Sequence, residues 1–169
     1  MPTLDLRRLA REDSVDVAGE WAADDSLWDE SGLSFAAPVR VDLVARETGS
    51  GEVVATGAVS TILDRTCRRC LKREEEALEL DVALIWSDDV ELRGDDGEIR
   101  ALPDDTDDVD VGPAVREELI LAVPAYTECD PDCKGLCPQC GTNWNEHSCD
   151  CSTDQRDPRW DALRELQSE

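Results

Sequence analysis

Residues 129–151 read CDPDCKGLCPQCGTNWNEHSCDC and carry six of the chain's eight cysteines. The other two form a CxxC pair inside DRTCRRCLKRE, residues 64–74. Short CxxC, CxxxC or CxC turns supply thiolates two at a time to a structural zinc ion, which takes four of them in a tetrahedron. The pattern therefore predicts two closed zinc sites, and their expected ligands are Cys67, Cys70, Cys129, Cys133, Cys137, Cys140, Cys149 and Cys151.

Four cysteine pairs can be combined into two sites in three ways. A glycine after the CPQC turn eases a tight knuckle to which the final CxC returns, which favours one local site: Cys137, Cys140, Cys149 and Cys151. The other site would join distant segments and close a long loop, where a cross-link restricts the unfolded chain most: Cys67, Cys70, Cys129 and Cys133. The mixed pairings are less economical but stay open. His147, the single histidine, is expected to be a bystander, with replacement of one cysteine as the alternative.

Disulfide bonding is the competing explanation of the cysteines, and the cellular compartment decides between the two. The first residues, MPTLDLRRLARED, include arginines but no apolar stretch of signal-peptide length. The longest apolar run, Leu119 to Tyr126, is too short to cross a bilayer. We therefore expect a cytoplasmic, reduced protein in which closely spaced cysteines bind metal, with disulfides or a redox switch as the alternative.

The chain is strongly acidic, with 41 acidic and 17 basic residues and a formal charge of −24. Four thiolates and one zinc add about −2 per site, so bound metal does not relieve this charge. Most of the surface should repel nucleic acid. Positively charged proteins are the more natural partners, unless the acidic residues serve only solubility.

One basic cluster surrounds the first CxxC: Arg65, Arg68, Arg69, Lys72 and Arg73. These side chains could grip a phosphate backbone, and any nucleic-acid contact is expected here. The favoured interpretation is that they offset the thiolate charge and pair with Glu74, Glu75 and Glu76.

Three segments alternate or concentrate apolar residues as strands do: 39–43, 53–63 and 78–86. The turn Thr48–Gly51 joins the first two, and no helical pattern of crossover length separates any of the three, so they should be consecutive antiparallel strands. The expected fold class is α+β, an antiparallel β-sheet or partly open β-barrel with a few short helices and a C-terminal cysteine-rich zinc-binding segment.

Residues 87–111 are rich in glycine and aspartate and predict an acidic loop without chemistry of its own. Gly112-Pro113 then opens a helix, at about 112–123, in which Val115, Leu119 and Ala122 share a face and which Pro124 closes. Asp157-Pro158 predicts a final helix with Trp160 and Leu163 on its apolar side. The expected domains are a β-rich body, residues 1–128, and a zinc-binding segment with the terminal helix, residues 129–169.

Catalysis has little support in the sequence. All-sulfur zinc sites are closed and electron-rich, which makes the metal a poor Lewis acid. A Cys149/His147 dyad is disfavoured because residues two apart seldom face one another on a rigid element, and no GxxxxGK[ST] loop occurs. We expect that the protein is not an enzyme.

Three separated motifs together resemble one known family. They are CRRCL at 67–71, DVGPAVREELILAVPAYTEC at 110–129 and CKGLCPQCGTNWNEHSCDC at 133–151. In this order and spacing they resemble the YceD family of bacterial large ribosomal RNA subunit accumulation proteins, whose members often read CxRCL, VREELLLALP, CKGLCPxCGxNLN and a closing CxC. Trp144 stands where the family commonly has leucine.

The resemblance implies a non-enzymatic role in the synthesis, processing or accumulation of large-subunit (23S) ribosomal RNA. Combined with the charge, it suggests a basic ribosomal protein or a large-subunit assembly intermediate as partner, with rRNA reached indirectly and no membrane involved. A redox-responsive structural zinc protein that acts as a protein-interaction module is the alternative. A metal-dependent nuclease would need converging carboxylates, whereas the aspartates lie mainly in low-complexity loops.

Overall fold

The computed structural model describes residues 1–89, 98–102 and 106–152. The helix expected at residues 157–163 lies outside the described residues. In chain order the elements are β1 (Thr3–Asp5), α1 (Leu6–Leu9), β2 (Val15–Trp21), a 3-10 turn (Ser26–Trp28), β3 (Val39–Glu47), β4 (Val53–Thr66), β5 (Arg73–Ser87), β6 (Ile99–Ala101), β7 (Asp108–Asp110) and α2 (Gly112–Ala122).

Five strands form the main sheet in the order β2-β3-β4-β5-β6. The three strands predicted from the sequence are its centre, and β2–β3 and β3–β4 pair antiparallel. Strand β6 runs parallel to β5, with Ile85 opposite Ile99. A second sheet pairs β1 with β7 antiparallel. Among the described residues, neither sheet closes into a barrel. The predicted α+β class is confirmed, and of its two alternatives the structure has the β-sheet and not the partly open barrel.

Strands β6 and β7 lie in the segment that the sequence predicted as loop. Each has only three residues, too few for an alternating pattern to stand out against the surrounding aspartates. Arg100 on β6 pairs with Glu117 and Glu118 of α2 at 2.8 and 3.0 Å. The acidic segment is therefore tied into the body at these two short strands.

The alternation predicted for β3 places its apolar side chains on one face of the sheet. Val39, Val41, Leu43 and Ala45 are buried between exposed or half-buried neighbours. Burying a side chain of leucine size stabilises a fold by about 1.5–3 kcal/mol. Because side chains alternate with a period of two, this face also sets the register of the neighbouring strands.

Gly57 on β4 allows an especially close approach of two strands. It lies opposite Leu43 of β3, and a Cβ atom at this position would come within 2.1 Å of the Asp42 carbonyl oxygen. No side chain can replace this hydrogen without a shift of the backbone.

Helix α2 begins as predicted, with Pro113 in its first turn and the Gly112 amide donating to the Asp110 carboxylate at 2.8 Å. Val115 and Leu119 are fully buried. Ala122, expected on the same face, is exposed at the last residue of the helix, and the chain leaves helical geometry at Val123, whose ψ is 117°.

The chain divides into two compact units. One comprises residues 1–65 and 73–125 and contains both sheets and α2, and the other comprises residues 66–72 and 126–169. The second unit thus includes the first CxxC as well as the cysteine-rich segment. The predicted division after residue 128 stays a prediction.

Within the described parts of the chain, neither helix has the length and apolar composition needed to cross a lipid bilayer.

Candidate metal centre

None of the eight cysteines forms a disulfide, and they gather into two groups of four. The sulfur atoms of each group lie within 4.8 Å of one another. We call them the first cluster (Cys67, Cys70, Cys129 and Cys133) and the second cluster (Cys137, Cys140, Cys149 and Cys151). Of the three possible combinations of pairs, the structure has the one that the sequence favoured.

The sulfur spacing of the first cluster suits a tetrahedral metal. The Sγ atoms of Cys67 and Cys133 are 3.8 Å apart, and those of Cys70 and Cys129 are 3.5 Å apart. Sulfurs bound to one zinc at 2.3 Å in a tetrahedron lie about 3.8 Å from one another. The cluster could therefore hold a metal ion without rearrangement of its backbone.

A tight knuckle between β4 and β5 presents the first pair of thiols. The Leu71 amide donates to the Cys67 carbonyl at 2.9 Å, and the Cys67 amide donates to the Lys72 carbonyl at 2.9 Å. Leu71 takes a left-handed conformation, with φ at 59°. The Arg68 amide donates to the Thr127 carbonyl at 2.9 Å, which brings the chain leading to Cys129 alongside the knuckle.

The second cluster rests on a similar knuckle. The Gly141 amide donates to the Cys137 carbonyl at 2.9 Å and the Cys137 amide to the Thr142 carbonyl at 2.8 Å. Gly141 supplies the left-handed conformation, with φ at 73°, a conformation that glycine adopts without strain. The glycine after the second cysteine thus has the role that the sequence pattern indicated.

The clusters differ in exposure. In the first cluster Cys67, Cys70 and Cys133 are buried and Cys129 is half-buried, whereas the second cluster has one buried, two half-buried and one exposed cysteine. The exposed one is Cys140. Solvent and oxidants therefore reach the second cluster more readily than the first.

Several N–H groups point at the sulfurs. The Arg69 amide donates to Cys67 Sγ at 3.4 Å, the Trp144 indole Nε1 donates to Cys149 Sγ at 3.4 Å, and Asn145 Nδ2 donates to Cys133 Sγ at 3.4 Å. Donors of this kind stabilise thiolates and orient metal ligands. The polar surroundings of both clusters fit bound metal.

Each cluster contains thiols whose pKa values are shifted in opposite directions. The pKa of Cys67 is lowered to about 6, chiefly because the Cys70 backbone amide donates to its sulfur, and the pKa of Cys129 is raised, chiefly by its thiol's hydrogen bond to Cys70. In the second cluster, hydrogen bonding to Thr142 lowers the pKa of Cys140 to about 6, and hydrogen bonding to Cys140 raises the pKa of Cys151 to about 12. Cys129 and Cys151 keep their protons because a further thiolate beside the neighbouring sulfurs would be repelled by their negative charge. A divalent cation bound to the cluster would remove this repulsion.

The four arginines of the basic cluster form ion pairs with carboxylates. Arg65 pairs with Glu76 and Arg73 with Asp64 in the sheet unit. Arg68 and Arg69 share Glu128 in the cysteine unit, at 2.6 and 3.7 Å, and the Arg68 guanidinium also lies 5.6 Å from the centre of the Tyr126 ring. Lys72, the fifth member, lies at the end of the knuckle. Of the expected pairings with Glu74, Glu75 and Glu76, the ion pairs of the structure include Arg65–Glu76, while Arg68, Arg69 and Arg73 pair with Glu128 and Asp64. A phosphate contact at this cluster stays a prediction.

His147 is exposed, and among the described residues it belongs to neither cluster. The side chains around the sulfurs, above all Thr142, Trp144 and Asn145, were not predicted from the cysteine pattern. Their signal was the spacing of polar residues directly after the CPQCG turn, in TNWN.

Fold and site together define a β-sheet protein with two four-cysteine clusters that could hold metal ions. The family model described as "Large ribosomal RNA subunit accumulation protein YceD" matches residues 55–167. This range covers most of the chain, including all eight cysteines, and the chain belongs to the YceD family.

Curated relatives are distant. The "Large ribosomal RNA subunit accumulation protein YCED homolog 1, chloroplastic" of Arabidopsis thaliana is 30% identical over 67 residues, which cover 40% of this chain and 21% of that protein. An uncharacterized protein of Mycobacterium tuberculosis is 30% identical over 123 residues, 71% of this chain and 58% of that protein. The protein YlbN of Bacillus subtilis is 36% identical over 81 residues, 47% of this chain and 44% of its own length. The chain thus spans less than two thirds of each of these relatives, and no solved structure matches it significantly.

Proposed function

We propose that this protein is a non-enzymatic ribosome-biogenesis factor that supports synthesis, processing or accumulation of large-subunit (23S) ribosomal RNA in the cytoplasm. Membership of the YceD family carries the proposal, since the family description and the chloroplast homologue both name large ribosomal RNA subunit accumulation.

Both clusters bind zinc in this proposal. Four sulfurs at tetrahedral spacing are the usual donor set of a structural zinc ion, and they leave no coordination position open for substrate. A metal held this way is a poor Lewis acid, so its contribution is to the fold and not to a reaction. The chain between the two halves of the first cluster contains β5, β6, β7 and α2, and a metal there would hold the two ends of this segment together.

A basic ribosomal protein or a large-subunit assembly intermediate is the proposed partner. The formal charge of −24 attracts basic surfaces and repels the phosphate backbone. Four arginines of the basic cluster already pair with carboxylates, so binding phosphate would mean giving up these pairs. Ribosomal RNA is therefore reached mainly through protein.

The sedimentation profile of ribosomal particles from cells lacking the gene tests the biological process. We expect a deficit of large subunits and of their ribosomal RNA. Wild-type protein should restore the profile, and Cys129→Ser, which breaks the first cluster, should restore it poorly. An unchanged profile with intact large subunits would refute the assembly role.

Pull-downs with the full chain test the partner. Basic ribosomal proteins should be retained at low salt and released as salt is raised, because the attraction is between exposed charges. Arg68→Gln should leave this retention unchanged. Tight binding of rRNA fragments without retention of ribosomal proteins would contradict the proposed route to RNA.

Redox response is a second candidate, favoured by the exposure of Cys140. Two thiolates of the second cluster would give two electrons to a peroxide, which is reduced to water, and form one disulfide as the metal leaves. Metal release from the second cluster at sub-millimolar peroxide, measured with a colorimetric zinc indicator, tests it. Retention of both metals at that dose would exclude a sensor.

A further inference from the structure

A hydrogen bond from the Asn145 side chain joins the loop of the second cluster to a sulfur of the first. Asn145 lies between Cys140 and Cys149, in the loop of the second cluster, but its Nδ2 donates to Cys133 Sγ of the first cluster at 3.4 Å. Cys133 is 1% exposed, so water has little access to its sulfur as an alternative donor.

The orientation of the Asn145 amide is set by its other contacts. Its Oδ1 accepts from the Lys134 backbone amide at 2.8 Å, which leaves the nitrogen facing the sulfur. The backbone and side-chain nitrogens of Asn145 also donate to Asn143 Oδ1, at 3.0 and 2.8 Å. The amide is therefore held in place by the loop of the second cluster and by the linker between the clusters.

This linker, residues 134–136, is bound on both sides. On one side the Leu136 amide donates to the Arg69 carbonyl of the first knuckle at 3.1 Å. On the other side the Trp144 amide donates to the Gly135 carbonyl at 3.0 Å. Gly135 has φ at 76°, and a Cβ there would come within 3.1 Å of the Arg69 carbonyl. Order in the second loop is thereby transmitted to the first cluster through a short, closely packed segment.

We propose that the two clusters load metal cooperatively and that Asn145 is the positioning residue that couples them. Metal in the second cluster orders the loop that carries Asn145, and the ordered amide then donates to the Cys133 sulfur and orients it as a ligand of the first cluster. A neighbouring N–H donor of this kind changes metal affinity by roughly 10–100-fold. Coupling of binding free energies is reciprocal, so metal in the first cluster also favours loading of the second. The inference rests on the proposed metal-binding role of both clusters.

Zinc affinity of the first cluster, measured by chelator competition on the full chain, tests the coupling. Four proteins are compared: wild type, Asn145→Ala, Cys149→Ser, which disables the second cluster, and the double variant. We expect Asn145→Ala and Cys149→Ser each to weaken the first cluster at least tenfold and the double variant to be no weaker than Cys149→Ser alone. His147→Ala, an exposed change in the same loop, is the matched control and should leave the affinity unchanged.

The readout separates coupling from a local structural role. If Asn145 merely supported its own loop, Asn145→Ala would weaken the second cluster and spare the first, and this result would overturn the proposal. Effects of the two single changes that multiply in the double variant would overturn it as well. Asn145 is exposed, so its replacement removes no core packing. Asn145→Asp, which loses the donor and places a negative charge beside the Cys133 sulfur, should weaken the first cluster at least as much as Asn145→Ala. Wild type that binds no zinc would refute the proposed metal role itself, whereas wild type with two zinc ions and an uncoupled first cluster would refute only the inference.

Discussion

Loss of metal from the first cluster should destabilise the protein more than loss from the second. The comparison uses Cys129→Ser and Cys151→Ser, which remove one ligand from the first and second cluster respectively. Both cysteines are half-buried, so the cost of the substitution itself is matched. The difference in stability between the two variants then reflects the different lengths of chain that the two metals close into loops.

The magnitude follows from the positions of the ligands. In the first cluster Cys70 and Cys129 are 59 positions apart, whereas in the second cluster Cys140 and Cys149 are nine positions apart. The entropy of loop closure grows as three halves of R times the logarithm of loop length, so the longer loop restricts the unfolded chain by about 1.7 kcal/mol more. If the free energy of unfolding falls by about 2 kcal/mol per molar urea, the urea midpoints of unfolding of the two variants should differ by roughly 0.8 M.

Urea unfolding followed by far-UV circular dichroism measures the difference. Brief dialysis against a chelator should remove metal from the altered cluster of each variant, which keeps only three cysteines. Elemental analysis should then find one metal per chain in each variant and two in the wild type. Cys129→Ser should unfold at the lower urea concentration. Equal midpoints, or a lower midpoint for Cys151→Ser, would refute the loop-closure argument.

Three further predictions concern the sheet, the thiols and oxidation. Gly57→Ala should destabilise the fold by about 3 kcal/mol or more, because the added Cβ meets backbone, while Gly49→Ala, with open space around it, should be nearly neutral in thermal unfolding. In metal-free protein the Cys140 thiol, whose pKa is lowered to about 6, should be alkylated rapidly above pH 6 and slowly below it, and Thr142→Val should move this transition to higher pH in mass-spectrometric rate measurements. Under peroxide, the variant that keeps only the second cluster should release zinc faster than the variant that keeps only the first, and the reverse order would contradict the difference in exposure.

Much of the fold was readable from local patterns. The alternation of Val39, Val41 and Leu43 predicted a half-buried strand, and Pro113 and Pro124 marked the two ends of α2. These signals are local because side-chain direction alternates along a strand and because proline limits the backbone of its neighbours. Other elements left no such signal. The three residues of β6 are too short for a pattern, and their parallel pairing with β5 depends on how the chain returns to the sheet.

For the metal centre, too, one part could be predicted from the sequence and another part depends on the tertiary structure. By itself the sequence determined which residues could bind metal, since thiols in closely spaced pairs are recognisable wherever they lie, and it favoured one combination of pairs by loop length. Only the tertiary structure decided that Cys67 and Cys133 meet, that the arginines around the first CxxC face carboxylates, and that Asn145 reaches across to the other cluster. Contacts between distant residues depend on the free energy of the whole chain, in which the burial of many side chains outweighs the preference of any one segment.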